Sequence, residues 1–279
     1  MTLRGIDVST YQGSINWSAV KADGIDFAIV KATQGRAVSS NSYLFTDRQF
    51  ANNVTGAHDV GLKVGVYHYL TAKTVKEAQT EAMHFCDTIA TYKPRIELWA
   101  AVDVEEDKYL PRNKTTLTAI VDAFTAYVAA EGYRPMVYTN PNYLIYRLND
   151  VSKYDLWLAL WRDKSRKPTG YDNMRIWQYG AENVNGVRTG AVDSNYGYFD
   201  VAVEEVPKPT VTPAPDTPEF EVGDRVKVRT GRNYLYGTTK KFMLWFRQYE
   251  VISVKGDRVV IGKKGVITAA VHADNLVRV

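Results

Sequence analysis

Two acidic side chains at the end of an apolar run have the types and spacing that glycosidic bond cleavage requires. The segment "AAVDVEED", residues 100–107, places Asp103 and Glu105 two positions apart. Side chains alternate across a β-strand, so the two carboxylates share one face. One could donate a proton to a leaving oxygen while the other stabilises an oxocarbenium-like centre. A charged turn after a strand has the same pattern, so the pair alone leaves both interpretations open.

The elements around this pair alternate as in a parallel sheet. Apolar runs predicted as strands are separated by amphipathic stretches predicted as helices, the main helices being 16–24, 47–61, 74–92 and 115–132. The predicted strands are 3–8, 26–32, 63–70, 98–105, 135–140, 155–161 and 175–180. This many βα units in about 200 residues predict a closed α/β barrel. Helices thin out after residue 150, so we expect an irregular version.

Active sites of such barrels gather at the carboxyl ends of the strands. Acids, amides and aromatic residues are predicted at that rim, which suits a polyhydroxylated ligand better than a phosphate or a metal. The four histidines are scattered without metal-ligand spacing, so neither a metal nor a cofactor is predicted. His68 is interpreted as a hydrogen-bonded, partly buried residue rather than a catalytic base.

Eight motifs occur in order along the chain. They are "GIDVSTYQGSINW", "FAIVKATQG", "GVYHY", "DVE", "VYT", "WLALW", "WQY" and "VDSN". Together they resemble glycoside hydrolase family 25, the lysozymes that cut the β-1,4 link between N-acetylmuramic acid and N-acetylglucosamine in peptidoglycan. The resemblance spans roughly residues 3 to 200 and implies an irregular, flattened (β/α) barrel.

The resemblance also implies roles for individual residues. Glu105 matches the general acid and Asp103 the assisting carboxylate, while Asp7 and Asp193 complete the acidic cluster. Whether a carboxylate or the substrate's own acetamido group attacks is left open. The expected substrate-binding residues are Gln34, Tyr67, Tyr69, Tyr138, Trp161, Trp177 and Gln178.

The sequence departs from the family pattern at two places. The family's "KATEG" is "KATQG" here, and Gln34 keeps hydrogen bonding but lacks a charge. Any electrostatic role of that position is therefore in question. The segment after Asp193, "SNYGYFD", is longer than usual.

A proline-rich segment divides the chain. Residues 204–220 contain five of the ten prolines and favour an extended spacer. We therefore predict a catalytic domain at 1–203, a linker at 204–219 and a small all-β, SH3-like barrel at 220–279. The last region carries twelve Lys or Arg and five Asp or Glu, a net charge of +7, whereas residues 1–219 carry −3.

The basic region is predicted to bind the cell wall. Anionic wall polymers would suit its charge, and candidate contacts are Tyr234, Tyr236, Trp245 and Tyr249. Basic residues are interspersed with acids, so nucleic acid is not expected, and no apolar run is long enough for a membrane helix. The competing hypothesis is an inactive barrel that only binds carbohydrate or nucleic acid.

The opening residues "MTLRGIDVST" lack the pattern of a secretory signal peptide. We therefore expect a phage-type endolysin that waits in the host cytoplasm until lysis. The single cysteine, Cys86, lies on the apolar face of a predicted helix and is interpreted as a packing residue.

Overall fold

The fold is described from a computed structural model covering residues 2–35, 44–200, 220–229, 234–236, 241–244 and 246–279. The chain divides into two compact units, Met1–Pro209 and Thr210–Val279. The predicted linker, 204–219, lies outside the described residues, and the predicted domain bounds remain predictions.

The first unit is built on a closed barrel of eight strands. In chain order the unit's strands are β1 (Leu3–Val8), β2 (Phe27–Gln34), β3 (Phe45–Thr46), β4 (Lys63–Tyr69), β5 (Ala100–Asp103), β6 (Pro135–Thr139), β7 (Asp155–Ala159), β8 (Met174–Asn183) and β9 (Ala191–Gly197). The two-residue β3 only extends the edge of β2. The sheet runs β1-β9-β8-β7-β6-β5-β4-β2, and pairing between β1 and β2 closes it. This confirms the predicted α/β barrel.

Strand β9 makes the barrel mixed rather than purely parallel. Neighbouring pairs from β1 through β8 are parallel, whereas β9 is antiparallel to both β8 and β1. The segment of β9 is not among the predicted strands, because its polar residues lack the apolar run that marks the others. Its alternation is nonetheless regular, and it places Asp193 and Asn195 on one face.

Within the described residues, five α-helices cover the outside of the barrel. They are α1 (Trp17–Ala22), α2 (Phe50–Asp59), α3 (Val75–Ile89), α4 (Lys114–Ala130) and α5 (Pro141–Tyr146). Polar side chains begin four of them, because Asn16, Thr74, Asn113 and Asn140 each accept a hydrogen bond from a backbone N–H of the first turn. The apolar faces of α1 to α4 bury a large core against the outer face of the strands, and Cys86 lies within it, as predicted. None of the described helices is both long and apolar enough to cross a membrane.

Inward-facing side chains fill the barrel in two layers. The lower layer consists of Leu3, Phe27, Trp99, Met136 and Ile176, which are buried together. Two or four residues further along the same strands lies the upper layer: Asp7, Lys31, Asp103, Tyr138 and Gln178. The residue between the layers on β1 is Gly5, and a larger residue would not fit, because a Cβ there would come within 2.2 Å of the Phe27 ring. On these strands the inward-facing side chains are therefore apolar near the amino end and polar near the carboxyl end.

The second unit has its own sheet and core. Five antiparallel strands, β10 (Arg225–Val228), β11 (Tyr249–Lys255), β12 (Arg258–Lys263), β13 (Val266–His272) and β14 (Leu276–Arg278), form a sheet in the order β13-β12-β11-β10-β14. Val226, Val251, Ile261 and Leu276 are among the residues buried in its core. Antiparallel strands in the described part of this region agree with the predicted β structure, and an SH3-like barrel here remains a prediction.

Candidate active site

Asp7 lies at the carboxyl end of β1 and is held by two amides. Its Oδ2 accepts hydrogen bonds from Gln178 Nε2 at 3.0 Å and from Asn195 Nδ2 at 2.9 Å. Burial raises the pKa of Asp7 to about 8, the Asp193 carboxylate adds to the rise, and the two amide bonds oppose it. The Asp7 carboxyl group therefore keeps its proton to higher pH than an exposed aspartate does.

Indole N–H groups fix the orientation of both amides. Trp157 Nε1 donates to Asn195 Oδ1 at 2.8 Å, and Trp161 Nε1 donates to Gln178 Oε1 at 2.9 Å. An indole can only donate, so each amide must present its oxygen to the tryptophan and its NH₂ group to Asp7. This network orients Asp7 without any charged partner. Asn195 was not predicted as a site residue, although its two-residue spacing from Asp193 was a usable signal.

Asp103 and Glu105 occupy different environments two residues apart. Asp103 ends β5 and is 5% exposed, and its buried Oδ1 has no hydrogen-bond partner among the described residues. Burial raises the pKa of Asp103 well above its ordinary value, and the Glu105 charge adds to the rise. Glu105 lies beyond the strand, with its surface open to solvent at the rim. Partial desolvation raises the pKa of Glu105, a hydrogen bond with Tyr138 opposes this, and Asp193 adds to it.

All four predicted acids belong to one electrostatic cluster. Asp193 is partly buried on β9, and desolvation raises the pKa of its carboxyl group. The charge of Asp193 acts on both Asp7 and Glu105, and the charge of Asp7 acts on Asp103. The structure therefore brings together acids from three strands that are up to 186 positions apart in the chain. Carboxyl groups whose pKa values are raised by burial and by neighbouring charges hold a proton to higher pH than exposed acids do, as a general acid requires.

Two further acids fix the loop that carries Glu105. Glu106 Oε2 accepts from the Tyr69 hydroxyl at 2.7 Å, and Asp107 Oδ1 accepts from the Tyr143 hydroxyl at 2.6 Å and from Arg147 Nη1. The loop is thus tied to β4 on one side and to α5 on the other. The local sequence gives no sign of these contacts, because the partners lie 36 to 40 residues away in the chain.

Aromatic side chains surround the acids. Tyr67 and Tyr69 alternate with the outward-facing His68 on β4, and Tyr67 packs edge-on against Trp157, with ring centroids 6.0 Å apart. The Tyr138 hydroxyl donates to Gln178 Oε1 at 3.1 Å. Trp161 is 60% exposed just beyond β7, so its ring is accessible for stacking on a sugar. The predicted residues Tyr67, Tyr69, Tyr138, Trp161 and Gln178 therefore lie in or beside the acidic cluster.

Trp177 is a correction to the predicted site. Its side chain is fully buried on the outer face of the sheet, where it packs with Leu158 and Tyr179 and donates to the Leu160 carbonyl at 2.8 Å. Because Gln178 points into the barrel, its neighbour Trp177 must point out. Trp177 is a packing residue that cannot contact a ligand in the barrel mouth.

Lys31 is the main residue that sequence reasoning missed. It is 9% exposed on β2, and its Nζ donates to Gln34 Oε1 at 2.9 Å and lies 4.8 Å from the centroid of the Tyr69 ring. A lysine within the apolar run "FAIVKA" is itself a signal, since lysine is almost never fully buried unless it is paired.

A buried network on the outer side of β4 supports this part of the rim. His68 Nδ1 and Thr33 Oγ1 are 2.7 Å apart, and His68 Nε2 is 2.8 Å from Glu81 Oε2 on α3. Glu81 packs so closely on Gly35 that a Cβ there would come within 1.9 Å of it. His68 is thus a hydrogen-bonded residue outside the acidic cluster, as predicted, and it is fully rather than partly buried.

The candidate contacts of the second unit separate into two groups. Tyr234 and Tyr236 are partly exposed, although the Tyr236 hydroxyl donates to Asp257 Oδ1 at 2.8 Å. Tyr249 is a correction, because its ring is 1% exposed in the core of the unit and cannot meet a ligand. Trp245 lies outside the described residues.

Comparison with known proteins finds one family. The family model for glycosyl hydrolases family 25 matches residues 6–187. The autolytic lysozyme of Clostridium acetobutylicum is 33% identical over 158 residues, which are 56% of this chain and 44% of that protein. The chain thus spans less than half the length of this curated relative.

Two solved structures share the fold. The bacterial lysozyme of Streptomyces coelicolor matches with a TM-score of 0.57 and 27% identity, over 72% of this chain and 94% of that one. The CTP1L endolysin matches with a TM-score of 0.59 and 24% identity, over 70% of this chain and 66% of that one. The family match includes Asp7, Asp103 and Glu105, three of the four acids of the cluster.

Proposed function

The chain belongs to glycosyl hydrolase family 25, and from this membership we propose that it is a lysozyme that hydrolyses the β-1,4 bond between N-acetylmuramic acid and N-acetylglucosamine in bacterial peptidoglycan. The observation that carries the proposal is the cluster of Asp7, Asp103, Glu105 and Asp193 at the barrel mouth. Burial raises the pKa of all four carboxyl groups, and the charges of Asp7, Glu105 and Asp193 add to the rise at neighbouring acids. The names of the relatives, lysozyme among them, support the same substrate class.

Glu105 is the general acid in this proposal. Its position at the solvent-facing rim allows a glycosidic oxygen to approach, and desolvation with neighbouring charge favours its protonated form. Donation of that proton to the leaving oxygen breaks the glycosidic bond, and the resulting carboxylate then activates the water that completes hydrolysis.

Asp103 stabilises the sugar from the buried side. Its Oδ1 has no protein donor within the described part of the chain, so it is available to accept an N–H group of the substrate or to face the developing positive charge. Accepting the N–H group would orient the acetamido group for its own attack. Facing the positive charge would suit a mechanism in which the Asp103 carboxylate attacks or stabilises the oxocarbenium-like centre. Asp7, held by two oriented amides, supports the electrostatics of either route.

Purified walls provide the test. The native chain should clear a suspension of Gram-positive walls, and Glu105→Gln should abolish clearing while the protein remains folded. Analysis of the new reducing ends should find muramic acid. Glucosamine ends would assign a different hydrolase class, and failure of the native chain to clear any wall would favour the inactive binding protein.

We further propose that the second unit is an SH3-like module that holds the enzyme on anionic wall polymers. The net charge of +7 over residues 220–279, the separate core of the unit and the exposed apolar residues Val266 and Ile267 support this role. Tethering would raise the concentration of the catalytic unit at its insoluble substrate. Binding to walls should weaken as salt is added. The double variant Lys255→Glu plus Lys264→Glu should also weaken it. The control double variant Lys73→Glu plus Lys76→Glu, at exposed positions of the first unit, should leave wall binding unchanged.

The finer biological assignment is also a proposal. We infer a phage-type endolysin that stays in the host cytoplasm until lysis, and the fold shared with a known endolysin is compatible with this role. Expression in a host with an intact membrane should leave the activity inside the cell. Export without membrane permeabilisation would contradict the assignment.

A further inference from the structure

Lys31 is a buried cation whose hydrogen-bonding partner carries no charge. Its Nζ donates to the Gln34 side-chain oxygen at 2.9 Å, and the faces of the Tyr69 and Tyr67 rings lie 4.8 and 6.0 Å away. An amide oxygen and two aromatic faces solvate an ammonium group but do not neutralise it. The compensating charge must come from elsewhere in the barrel mouth.

A local irregularity in β2 brings Gln34 to Lys31. The parallel register between β2 and β4 shifts between Lys31 and Thr33, so that Lys31 pairs with Tyr67 while Gln34 pairs with Tyr69. In a regular strand, residues three apart point to opposite faces, and the extra residue restores both side chains to the inner face. The Lys31–Gln34 contact is therefore built by the backbone.

Acids from two other segments act on this cation. Burial lowers the pKa of Lys31, while Asp103, Asp47 and Glu105 act in the opposite direction and favour the charged ammonium. Asp47 is itself fixed, because it accepts from the backbone N–H groups of Thr10 and Gln49.

The effect is reciprocal. Lys31 lowers the pKa of Asp103 and of Glu105 against the combined effect of burial and the neighbouring carboxylates. The other charges acting on Asp103 are those of Glu105, Asp7 and Glu106, all of which raise its pKa. Lys31 is thus the cation that offsets the acids on both sides of the reacting centre.

We propose that Lys31 is the buried countercharge of the acidic cluster, and that Gln34, by binding Lys31 without a charge of its own, leaves that charge to act on Asp103 and Glu105. The inference rests on the proposed function for its catalytic meaning. Lys31 and Gln34 act through the two carboxylates, so both are positioning residues. Gln34 in place of the family's glutamate then sets the pH range in which the enzyme works.

Two substitutions of opposite chemistry test this. Gln34→Glu adds a negative charge beside Lys31, and Lys31→Met removes the positive charge at nearly constant length. Either change should raise the pKa of Asp103, which must be ionised, and of Glu105, which must be protonated. Both limbs of the pH profile of kcat/KM should therefore move to higher pH, by about one unit.

The matched control is Gln79→Glu, the same chemical change at an exposed position of α3, which should leave the profile in place. Thermal denaturation of each variant verifies folding, and Gln34→Glu alone suffices if Lys31→Met does not fold. An unshifted profile in folded Gln34→Glu, or a shift to lower pH, would overturn the inference.

Failure of the proposed function is distinguishable from failure of this inference. Carbon NMR titration of the Asp103 and Glu105 carboxyl groups measures the same pKa shifts without turnover. A chain that clears no wall but shows raised pKa values in Gln34→Glu would retain the countercharge and lose only its catalytic interpretation.

Discussion

The lower and upper layers of the barrel interior are built on the same strands and the same face, yet they have opposite chemistry. Met136 and Tyr138 illustrate this on β6, since the first is fully buried among apolar side chains and the second hydrogen-bonds to Gln178. Met136 therefore contributes mainly to stability, whereas Tyr138, two residues further along the strand, contributes to the candidate site. Substitutions in the two layers should therefore affect different measurements.

Asp103→Asn in the upper layer should have the largest effect on catalysis. Removing a carboxylate beside the reacting centre should lower kcat/KM by about 10²- to 10⁴-fold. Thermal stability at neutral pH should change little, because the neutral amide avoids burial of a charge but also loses the attraction to Lys31. Asp172→Asn, at an exposed position, is the control for both measurements. A folded Asp103→Asn variant with native kcat/KM would exclude Asp103 from the mechanism.

Met136→Ala in the lower layer should show the reverse pattern. Loss of a fully buried side chain should reduce the free energy of unfolding by about 2–5 kcal/mol, measured by urea denaturation. The folded fraction should retain its kcat/KM. Equal losses in Asp103→Asn and Met136→Ala by both measurements would show that the layers are not functionally distinct.

Asp7→Asn should change how stability depends on pH. The pKa of Asp7 is raised from 3.8 to about 8 in the folded protein, so the native state binds a proton more tightly than the unfolded chain. The resulting stabilisation is fully present below pH 3.8 and is lost as pH rises through about 8. One such group contributes a slope of up to about 1.4 kcal/mol per pH unit. Asp7→Asn should flatten this part of the curve in denaturation experiments, and an unchanged slope would contradict the raised pKa.

Two tryptophans should give the smallest and most local contrast. Trp161→Phe removes the N–H that orients Gln178 and should raise KM for soluble wall fragments a few-fold, an effect of about 1 kcal/mol. Trp177→Phe removes only the bond to the Leu160 carbonyl on the outer face. It should lower stability by about 1 kcal/mol and leave KM unchanged. A changed KM in Trp177→Phe alone would reverse the assignment of faces.

Much of the barrel and of its acidic cluster could be predicted from local periodicity. Alternation placed Asp103 and Glu105 on one face, and the βα pattern placed Asp7 at the same rim. The same rule, applied to "WQY", already excludes Trp177 and Gln178 from sharing a face. The prediction for Trp177 was wrong because it relied on residue type: an aromatic residue next to a site residue was expected to contact the ligand, although strand alternation points it to the other face.

Other features depend on contacts that local patterns do not encode. The irregularity that brings Gln34 to Lys31 is a property of the pairing between β2 and β4. Tyr249 alternates correctly within a strand, but its burial depends on which face of a five-stranded sheet carries the core. The partners of Glu106 and Asp107 lie on distant elements.

The antiparallel strand β9 has a consequence for how the protein is made. Strand β1, which is synthesised before the other strands of the barrel, is hydrogen-bonded on one side to β2 and on the other to β9. Until residues 191–197 have been synthesised, the edge of β1 lacks its second neighbour, and Asp7 lacks both Asn195 and Asp193. The acidic cluster is therefore complete only when β9 closes the barrel. A fragment truncated before β9 should lack wall-degrading activity.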